Sequence, residues 1–229
     1  MRVVASWVLG LAVMASTAIA ASAHSIKELE TQLGDREQYF QPVDKPAPEI
    51  TLHDADGKVA RLSDLRGKVV VLHFIYAGCP DICPLHAERI ADVQAKINHT
   101  PMKKLVQFIS VTTDPSRDTP AVLRDYGQAH GLDPVNWTFL TTTPDQPEDT
   151  TRRLAEAFGH SFVKTTDEYQ IHGIITHVID KEGRWRANFH GLKFDPVNLV
   201  LFVNALVNDV NKPHGHRERG FWDKAKELF

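Results

Sequence analysis

The sequence predicts an α/β fold in which helices cover both faces of a mixed central sheet. Residues 69–76 and 105–111 are continuous apolar runs rich in β-branched side chains, which is typical of strands buried on both faces. A helical segment separates these two strands, so they are expected to form a βαβ unit. Near the end of the chain, residues 174–180 and 185–190 flank the turn 181–183 and predict a hairpin, which a last helix follows.

The elements before the first buried strand are predicted from local patterns. Residues 25–39 have the apolar spacing of a short amphipathic helix. Three prolines between positions 42 and 48 then predict an extended linker, so the folded domain is expected to begin near Ala47. Residues 50–62 predict an N-terminal hairpin, because the turn-forming residues 55–58 divide two short strand patterns.

Caps and prolines place the remaining elements. A helix is predicted over residues 83–98, and the run Asp118-Thr119-Pro120 supplies an N-cap and a first-turn proline for a helix ending near residue 130. A short strand over 137–140, a helix over 147–158 and a C-terminal helix over 195–210 complete the βαβ plus ββα order of a thioredoxin-like fold. The helix over residues 83–98 is predicted to carry Leu85, Ile90, Val93 and Ile97 on one side.

The first 23 residues predict export. Arg2 precedes an alanine-rich apolar stretch, and Ala21-Ser22-Ala23 has the small residues of a cleavage site, as in a secretory signal peptide. An uncleaved membrane anchor is the alternative, because the stretch approaches the roughly 20 residues that span a bilayer. The protein is therefore expected in the periplasm or at the outer face of the inner membrane. The predicted organisation is a signal peptide or anchor (1–23), a leader helix and Pro-rich linker (24–46), a thioredoxin-like domain (47–210) and a tail (211–229).

Composition excludes some partners. The chain has 26 basic and 29 acidic residues, a formal net charge of −3. A mildly acidic protein without a basic stripe has no electrostatic basis for binding nucleic acid. We expect a monomer whose membrane association depends on the N-terminal segment remaining uncleaved.

The two cysteines of the chain, Cys79 and Cys83, are the strongest candidates for chemistry. They follow the first buried strand and open a helix, where unpaired N–H groups and the helix dipole favour thiolate. Three intervening residues place both side chains on one helical face, which suits a redox disulfide and equally a shared soft metal ion. A structural disulfide is the third alternative, but a loop this small would add little stability.

Several ordered motifs carry a family resemblance over about Ala47 to Leu206. Besides the cysteine run 79–84, they are residues 57–58, 62–68, 74–76, 108–111, 114–120 and 179–184. Together they resemble the Sco/SenC family, whose members are copper chaperones for the dinuclear CuA centre of cytochrome c oxidase.

The resemblance implies a copper site made of the two motif cysteines and one histidine ahead of the closing hairpin. Counting back from Ile179-Asp180, the matching residue is His172. His177 falls five residues later, so a regular strand would project it oppositely, and we predict that it packs in the sheet. Ile171 stands where the family usually has Asp, and Ala77-Gly78 where it usually has a polar pair.

Two functions are compatible with these residues. As a metallochaperone, the protein would hold one copper ion, as Cu(I) or Cu(II), on Cys79, Cys83 and His172. It would pass the ion to subunit II of cytochrome c oxidase or to another exported copper protein. As a thiol–disulfide oxidoreductase, it would act on exported cysteines, those of CuA included, with Cys79 as the more exposed attacking thiol and Cys83 as the resolving thiol. A thiol peroxidase is disfavoured, because the Pro-x-x-x-Thr-x-x-Cys pattern is missing around Cys79.

The other histidines are weaker candidates for a copper ligand than His172. His73 lies within a buried strand and is expected to be a hydrogen-bonded core residue, whereas His86 is expected to be solvated near the cysteines. His24 would become the N-terminus after cleavage and could chelate copper there. His214 and His216 lie in the tail, where they could collect metal weakly.

Overall fold

The computed structural model describes residues 26–164, 170–171 and 173–208. The predicted signal peptide, His24, His172 and the tail with His214 and His216 lie outside the described residues. Those parts of the sequence analysis remain predictions.

The described elements follow the predicted order closely. The strands are β1 (Phe40–Pro46), β2 (Thr51–Asp54), β3 (Val59–Arg61), β4 (Val69–Ile75), β5 (Val106–Thr112), β6 (Trp137–Thr141), β7 (Val163–Lys164), β8 (Gln170–Ile171), β9 (Ile175–Ile179) and β10 (Arg184–His190). The helices are α1 (Ile26–Arg36), α2 (Ile82–Asn98), α3 (Pro120–Ala129), α4 (Thr150–Ala157) and α5 (Pro196–Val207). Short 3₁₀ turns occupy Leu62–Leu65 and Pro101–Lys104.

A mixed sheet forms the centre of the fold, as predicted. Its strands lie in the order β1-β10-β9-β4-β5-β6-β2-β3, while β7 and β8 pair separately. Strands β4, β5 and β6 are parallel neighbours, and β9 pairs antiparallel with β4. The α/β class that the sequence predicts is therefore confirmed, and the cysteine segment leaves the sheet from the end of its central strand β4.

Side chains that alternate along β4 divide the core between the two faces of the sheet. Val69, Val71 and Ile75 pack with α2 and α5 on one face, which we call the α2 face. Leu72 and Phe74 belong to a second buried cluster on the opposite face. These two layers hold β4, and the turn that follows it, in a fixed position.

The helix cap predicted for α3 is confirmed, and α5 has a cap of the same kind. The Thr119 side chain accepts from the Val122 amide and the Asp195 side chain from the Val197 amide, each with proline in the first turn. Helix α4 begins three residues later than predicted. The reason is a turn before it, closed by a bond from the Thr150 amide to the Pro147 carbonyl at 3.0 Å.

The segment predicted as a Pro-rich linker is a strand of the main sheet. Strand β1 pairs antiparallel with β10, with a shift of register between Pro42 and Lys45. The strand lies at the edge of the sheet, where proline's missing N–H group costs no ladder hydrogen bond. Helix α1 is predicted correctly and joins the same core, since Ile26 and Leu33 are buried.

Helix α1 is also held by polar contacts to the sheet. Arg186 on β10 pairs with Glu30 at 2.9 Å, and both side chains are more than four-fifths buried. None of the helices in the described ranges has the length and apolar character needed to cross a bilayer.

Candidate metal and thiol site

A short turn after β4 positions the two cysteines. The Cys79 amide donates to the Tyr76 carbonyl at 3.1 Å, which closes the turn, and α2 then begins at Ile82. Among the described residues, the Asp81 carboxylate accepts no capping bond at the start of α2. The Cys79 sulfur accepts from the Cys83 amide at 3.4 Å instead, so a sulfur atom takes the position of a helix cap.

The two thiols are buried but differ in acidity. Burial raises the pKa of Cys79, but hydrogen bonds from the Asp81 and Cys83 backbones and from the Cys83 and Tyr76 side chains outweigh it, and the net pKa is lowered. For Cys83, burial raises the pKa far above the ordinary value, and the neighbouring Cys79 and Asp118 raise it further. Cys79 is therefore the thiol that ionises first.

Exposure agrees with the predicted order of the thiols. Cys79 is 6% exposed and Cys83 is 1% exposed, and no disulfide joins them. Cys79 is thus the more accessible sulfur, although both lie beneath the surface. Either a partner or a bound ion must reach them from the side of Cys79.

Asp118 is a buried carboxyl group beside the cysteine turn. It accepts hydrogen bonds from the Ala77 amide at 2.9 Å and from the Thr112 hydroxyl. Burial raises its pKa, and the charge of Asp114 adds to this, while the two hydrogen bonds and Arg117 oppose it. Asp118 therefore ties the start of α3 to the turn before Cys79, and its charge acts on Cys83.

The sequence predicts Asp118 only as part of the N-cap run of α3. Thr119 is the cap that the structure shows, and Asp114 pairs with Arg117. The one available signal for Asp118 was its place in the 114–120 motif, which does not reveal where the side chain lies.

Tyr126 on α3 is a second group that the sequence did not single out. The residue is 6% exposed, and its hydroxyl has no hydrogen-bond partner among the described residues. Its ring lies against His130 with 4.5 Å between centroids. Burial raises the pKa of Tyr126, as do Cys83 and, less strongly, Cys79.

His86 is buried rather than solvated, which corrects the sequence-based expectation. It is 1% exposed, and its Nε2 lies 2.8 Å from the Thr176 hydroxyl on β9. The inward side of α2 carries Cys83, His86 and Ile90, which follow helical spacing. Leu85 falls outside this stripe and is 49% exposed, so the prediction that it shares a side with Ile90 is also wrong.

The predicted core roles of His73 and His177 are confirmed. His73 Nε2 lies 3.2 Å from the Ser110 hydroxyl on the α2 face. His177 is fully buried on the opposite face, with Nε2 at 2.9 Å from His160 Nε2 and Nδ1 at 2.8 Å from Asn188 Oδ1. Both ring nitrogens of His177 therefore have hydrogen-bond partners on this face of the sheet.

The described residues thus bring together two of the three predicted ligands. Cys79 and Cys83 are neighbours, while His172 lies outside the described residues. Within the part of the chain that the structure describes, no three or more histidine, cysteine or acidic side chains are grouped to hold a metal ion. Two adjacent sulfurs, one with a lowered pKa, can bind a soft ion together with a further ligand, or can cycle between dithiol and disulfide.

Comparison with known proteins identifies the domain. Residues 40–207 match the family model described as SCO1/SenC. An SCO2-like protein of Rickettsia prowazekii is 30% identical over 141 residues, which cover 61% of this chain and 66% of that protein.

Solved structures give the same result. An SCO1/SenC family lipoprotein from Bacillus anthracis matches with a TM-score of 0.65 and 25% identity, covering 72% of this chain and 97% of that one. ScoI of Bradyrhizobium japonicum, solved with copper bound, matches with a TM-score of 0.58 and 25% identity, covering 70% and 99%. The thioredoxin-like fold predicted from the sequence is confirmed.

Proposed function

Because the chain belongs to the SCO1/SenC family, we propose that it is an exported copper chaperone that loads the CuA site of cytochrome c oxidase. The observation that carries this proposal is the cysteine pair at the start of α2, with the Cys79 sulfur bonded to the Cys83 amide. The relative with copper bound supports copper as the cargo.

The ion is held by Cys79, Cys83 and His172. Thiolates are soft ligands that favour Cu(I), and two sulfurs with one imidazole satisfy a three-coordinate ion. Cys79 supplies the first thiolate, because its pKa is already lowered. Cys83 must then lose its proton in a buried position, which makes its sulfur the harder ligand to form.

The acceptor is subunit II of cytochrome c oxidase or another exported copper protein. Transfer proceeds by exchange of ligands, with Cys79 as the sulfur through which the acceptor enters. Export through residues 1–23 places the chaperone in the periplasm or at the outer face of the inner membrane, as a monomer. Cu(II) is a second oxidation state that the same ligands could hold.

An anaerobic Cu(I) titration of the reduced protein, against a competing chelator, tests this proposal. We expect one tightly bound ion in the wild type. Loss of one ligand should weaken binding at least about a hundredfold in Cys79→Ala, Cys83→Ala and His172→Ala, which corresponds to about 2.7 kcal/mol. His190→Ala, a change at the end of β10, is the matched control and should bind copper normally.

A thiol–disulfide oxidoreductase is the second candidate, favoured by the opposite pKa shifts of the two thiols. The Cys79 thiolate would attack a partner disulfide and expel one partner thiolate. Cys83 would then lose its proton and expel the other, leaving a Cys79–Cys83 disulfide for an external dithiol to reduce. If His172→Ala leaves copper affinity unchanged, while both cysteine variants abolish turnover on a disulfide substrate, this second function is correct.

A further inference from the structure

We propose that His86 is a positioning residue. Its hydrogen bond to Thr176 holds the start of α2, which carries the cysteine pair, against the strand that follows His172. The inference rests on the proposed function, because it concerns how the histidine ligand is brought to the two sulfurs. It adds to that function a residue that is not itself a ligand.

A single hydrogen bond joins the two segments that supply the ligands. His86 Nε2 lies 2.8 Å from the Thr176 hydroxyl on β9, across 90 residues of sequence. On one side, Cys83 precedes His86 by three residues, which is less than one turn of α2. On the other side, Thr176 follows His172 by four residues, so their Cα atoms are at most about 14 Å apart. The bond is therefore close, along the chain, to both groups of ligands.

The bond lies in the interior of the protein. His86 is 1% exposed and Thr176 is 0% exposed. Water does not reach such a position to replace a partner that is removed, so loss of either side chain leaves the other without this hydrogen bond. The two residues therefore act as a pair.

Neighbouring side chains hold His86 from below. Its ring packs on His73 with 4.8 Å between centroids, and His73 is the register partner of Thr176 in the β4–β9 pair. His73 Nε2 lies 3.2 Å from the Ser110 hydroxyl, which accepts from the Trp137 indole N–H at 2.9 Å. His86 thus sits on a row of polar side chains that crosses β6, β5, β4 and β9.

Directional bonding explains why a polar side chain serves here. Apolar residues on the same side of α2, such as Ile90 and Val93, favour burial, but hydrophobic contacts have no preferred direction. A hydrogen bond is directional, and a satisfied buried network favours one arrangement of the core. His86 therefore sets the position of α2 along β9, and with it the position of the cysteines relative to the segment that contains His172.

A metal-free disulfide trap measures this position. In a Cys79→Ala/His172→Cys background, Cys83 and the introduced thiol form a disulfide only if their segments approach each other. Equilibration with glutathione gives the effective concentration of the two thiols. Oxidised glutathione is the oxidant, and each protein disulfide that forms releases two molecules of reduced glutathione.

In this background we expect His86→Leu to lower the effective concentration about tenfold, which corresponds to the loss of one hydrogen bond of about 1.4 kcal/mol. His86→Gln should restore most of it, because the glutamine amide can take the place of Nε2. Gln94→Leu is the matched control and should leave the value unchanged. Gln94 is also buried on α2, but it lies toward the other end of the helix and donates to the Asp133 carbonyl at 2.8 Å.

A double substitution separates positioning from stability. His86→Leu alone should lower the urea midpoint of the apo protein, since Thr176 loses its partner. His86→Leu/Thr176→Val replaces both groups by apolar ones of similar size and should recover most of that stability. The effective concentration in the trap should stay low in both variants. With Cys79 and His172 restored, Cu(I) affinity should be about tenfold weaker, as when a residue that orients a metal ligand is lost.

Contrary outcomes are distinct for the two proposals. If the wild-type protein binds no Cu(I), the copper function fails, while the trap still tests His86. If the background forms no disulfide, or if His86→Leu leaves the effective concentration unchanged, the proposal for His86 is overturned. Recovery of the effective concentration together with stability in the double variant would show a merely structural bond, and would also overturn it.

Discussion

Two buried polar clusters lie on opposite sides of the central strands, and they use their hydrogen bonds differently. The thiol cluster consists of Cys79, Cys83 and Asp118. The imidazole chain consists of His160, His177, Asn188, Gln41 and His190. The thiol cluster holds two thiols whose pKa values shift in opposite directions and a carboxyl with a raised pKa, whereas the imidazole chain runs from group to group out to the sheet edge.

The hydrogen-bond partners determine which ring nitrogens of the imidazole chain carry a proton. The indole N–H of Trp185 can only donate, and it lies 2.8 Å from Asn188 Oδ1, so this atom is an acceptor. His177 Nδ1, which faces the same oxygen, therefore carries a proton. His177 Nε2 must then accept from His160.

The imidazole chain therefore has a structural role, whereas the thiol cluster has a chemical one. Each group in the imidazole chain has a fixed role, so the chain supports the sheet in one arrangement. The thiol cluster has groups whose bonding is incomplete until a proton leaves or a ligand arrives. The opposite pKa shifts of the two thiols are therefore the better guide to the functional site here.

The strongest effect is expected from His177→Ala. The change removes the imidazole ring that packs among Phe74, Phe158 and Trp185, and so leaves a cavity. It also removes the acceptor of the hydrogen bond that His160 donates. We expect the free energy of unfolding in urea to fall by about 3 kcal/mol. His190→Ala, at the exposed end of the same chain, should cost no more than about 1 kcal/mol. Equal losses in the two variants would contradict the structural role of the buried pair.

The pH dependence of stability provides a second test of the buried His177. Burial lowers the pKa of His177 well below its ordinary value of 6.5, and His160 lowers it further, with smaller effects from His86 and His190. As the pH falls through about 6.5, His177 takes up a proton in the unfolded chain but stays neutral in the folded protein. Stability from this residue is complete above pH 6.5 and is lost as the pH falls, by up to about 1.4 kcal/mol per pH unit.

Urea unfolding between pH 7.5 and about 5 measures this slope. His177→Gln should flatten it, because glutamine does not titrate. His99→Gln, at an exposed position after α2, should leave the slope as in the wild type. A slope that His177→Gln does not change would assign the pH dependence to other groups.

The smallest effect is expected from Asp118→Asn in the thiol cluster. The amide oxygen can still accept from Ala77 and Thr112, but the negative charge that raises the pKa of Cys83 is removed. When the reduced protein reacts with dithiobis(nitrobenzoate), the second release of coloured thiolate, in which Cys83 attacks the mixed disulfide on Cys79, should therefore become about threefold faster.

Asp118→Asn should also raise stability at neutral pH. The folded pKa of Asp118 is raised, so the fold favours its protonated form and loses stability as pH rises through the range above 3.8. Asparagine avoids this loss. Asp92→Asn, at an exposed position on α2, is the charge-matched control, and an equal gain there would contradict a local effect of Asp118.

The sequence predicted features that depend on short stretches of chain. Buried strands, helix caps and the turn before the cysteines are specified by neighbouring residues, and they appear where predicted. The cysteine pair was likewise recognisable, because its spacing and its place after a buried strand belong to one segment. His172 stays a sequence prediction for the same site.

Tertiary structure alone decided the features that join distant segments. It made an edge strand of the proline segment by pairing it with β10, and it turned His86 inward onto Thr176 across 90 residues of sequence. It also brought Asp118 to the turn before Cys79. Sequence by itself determined which residues could do chemistry, whereas packing determined which of them meet, because burial and hydrogen bonding depend on neighbours that are far apart along the chain.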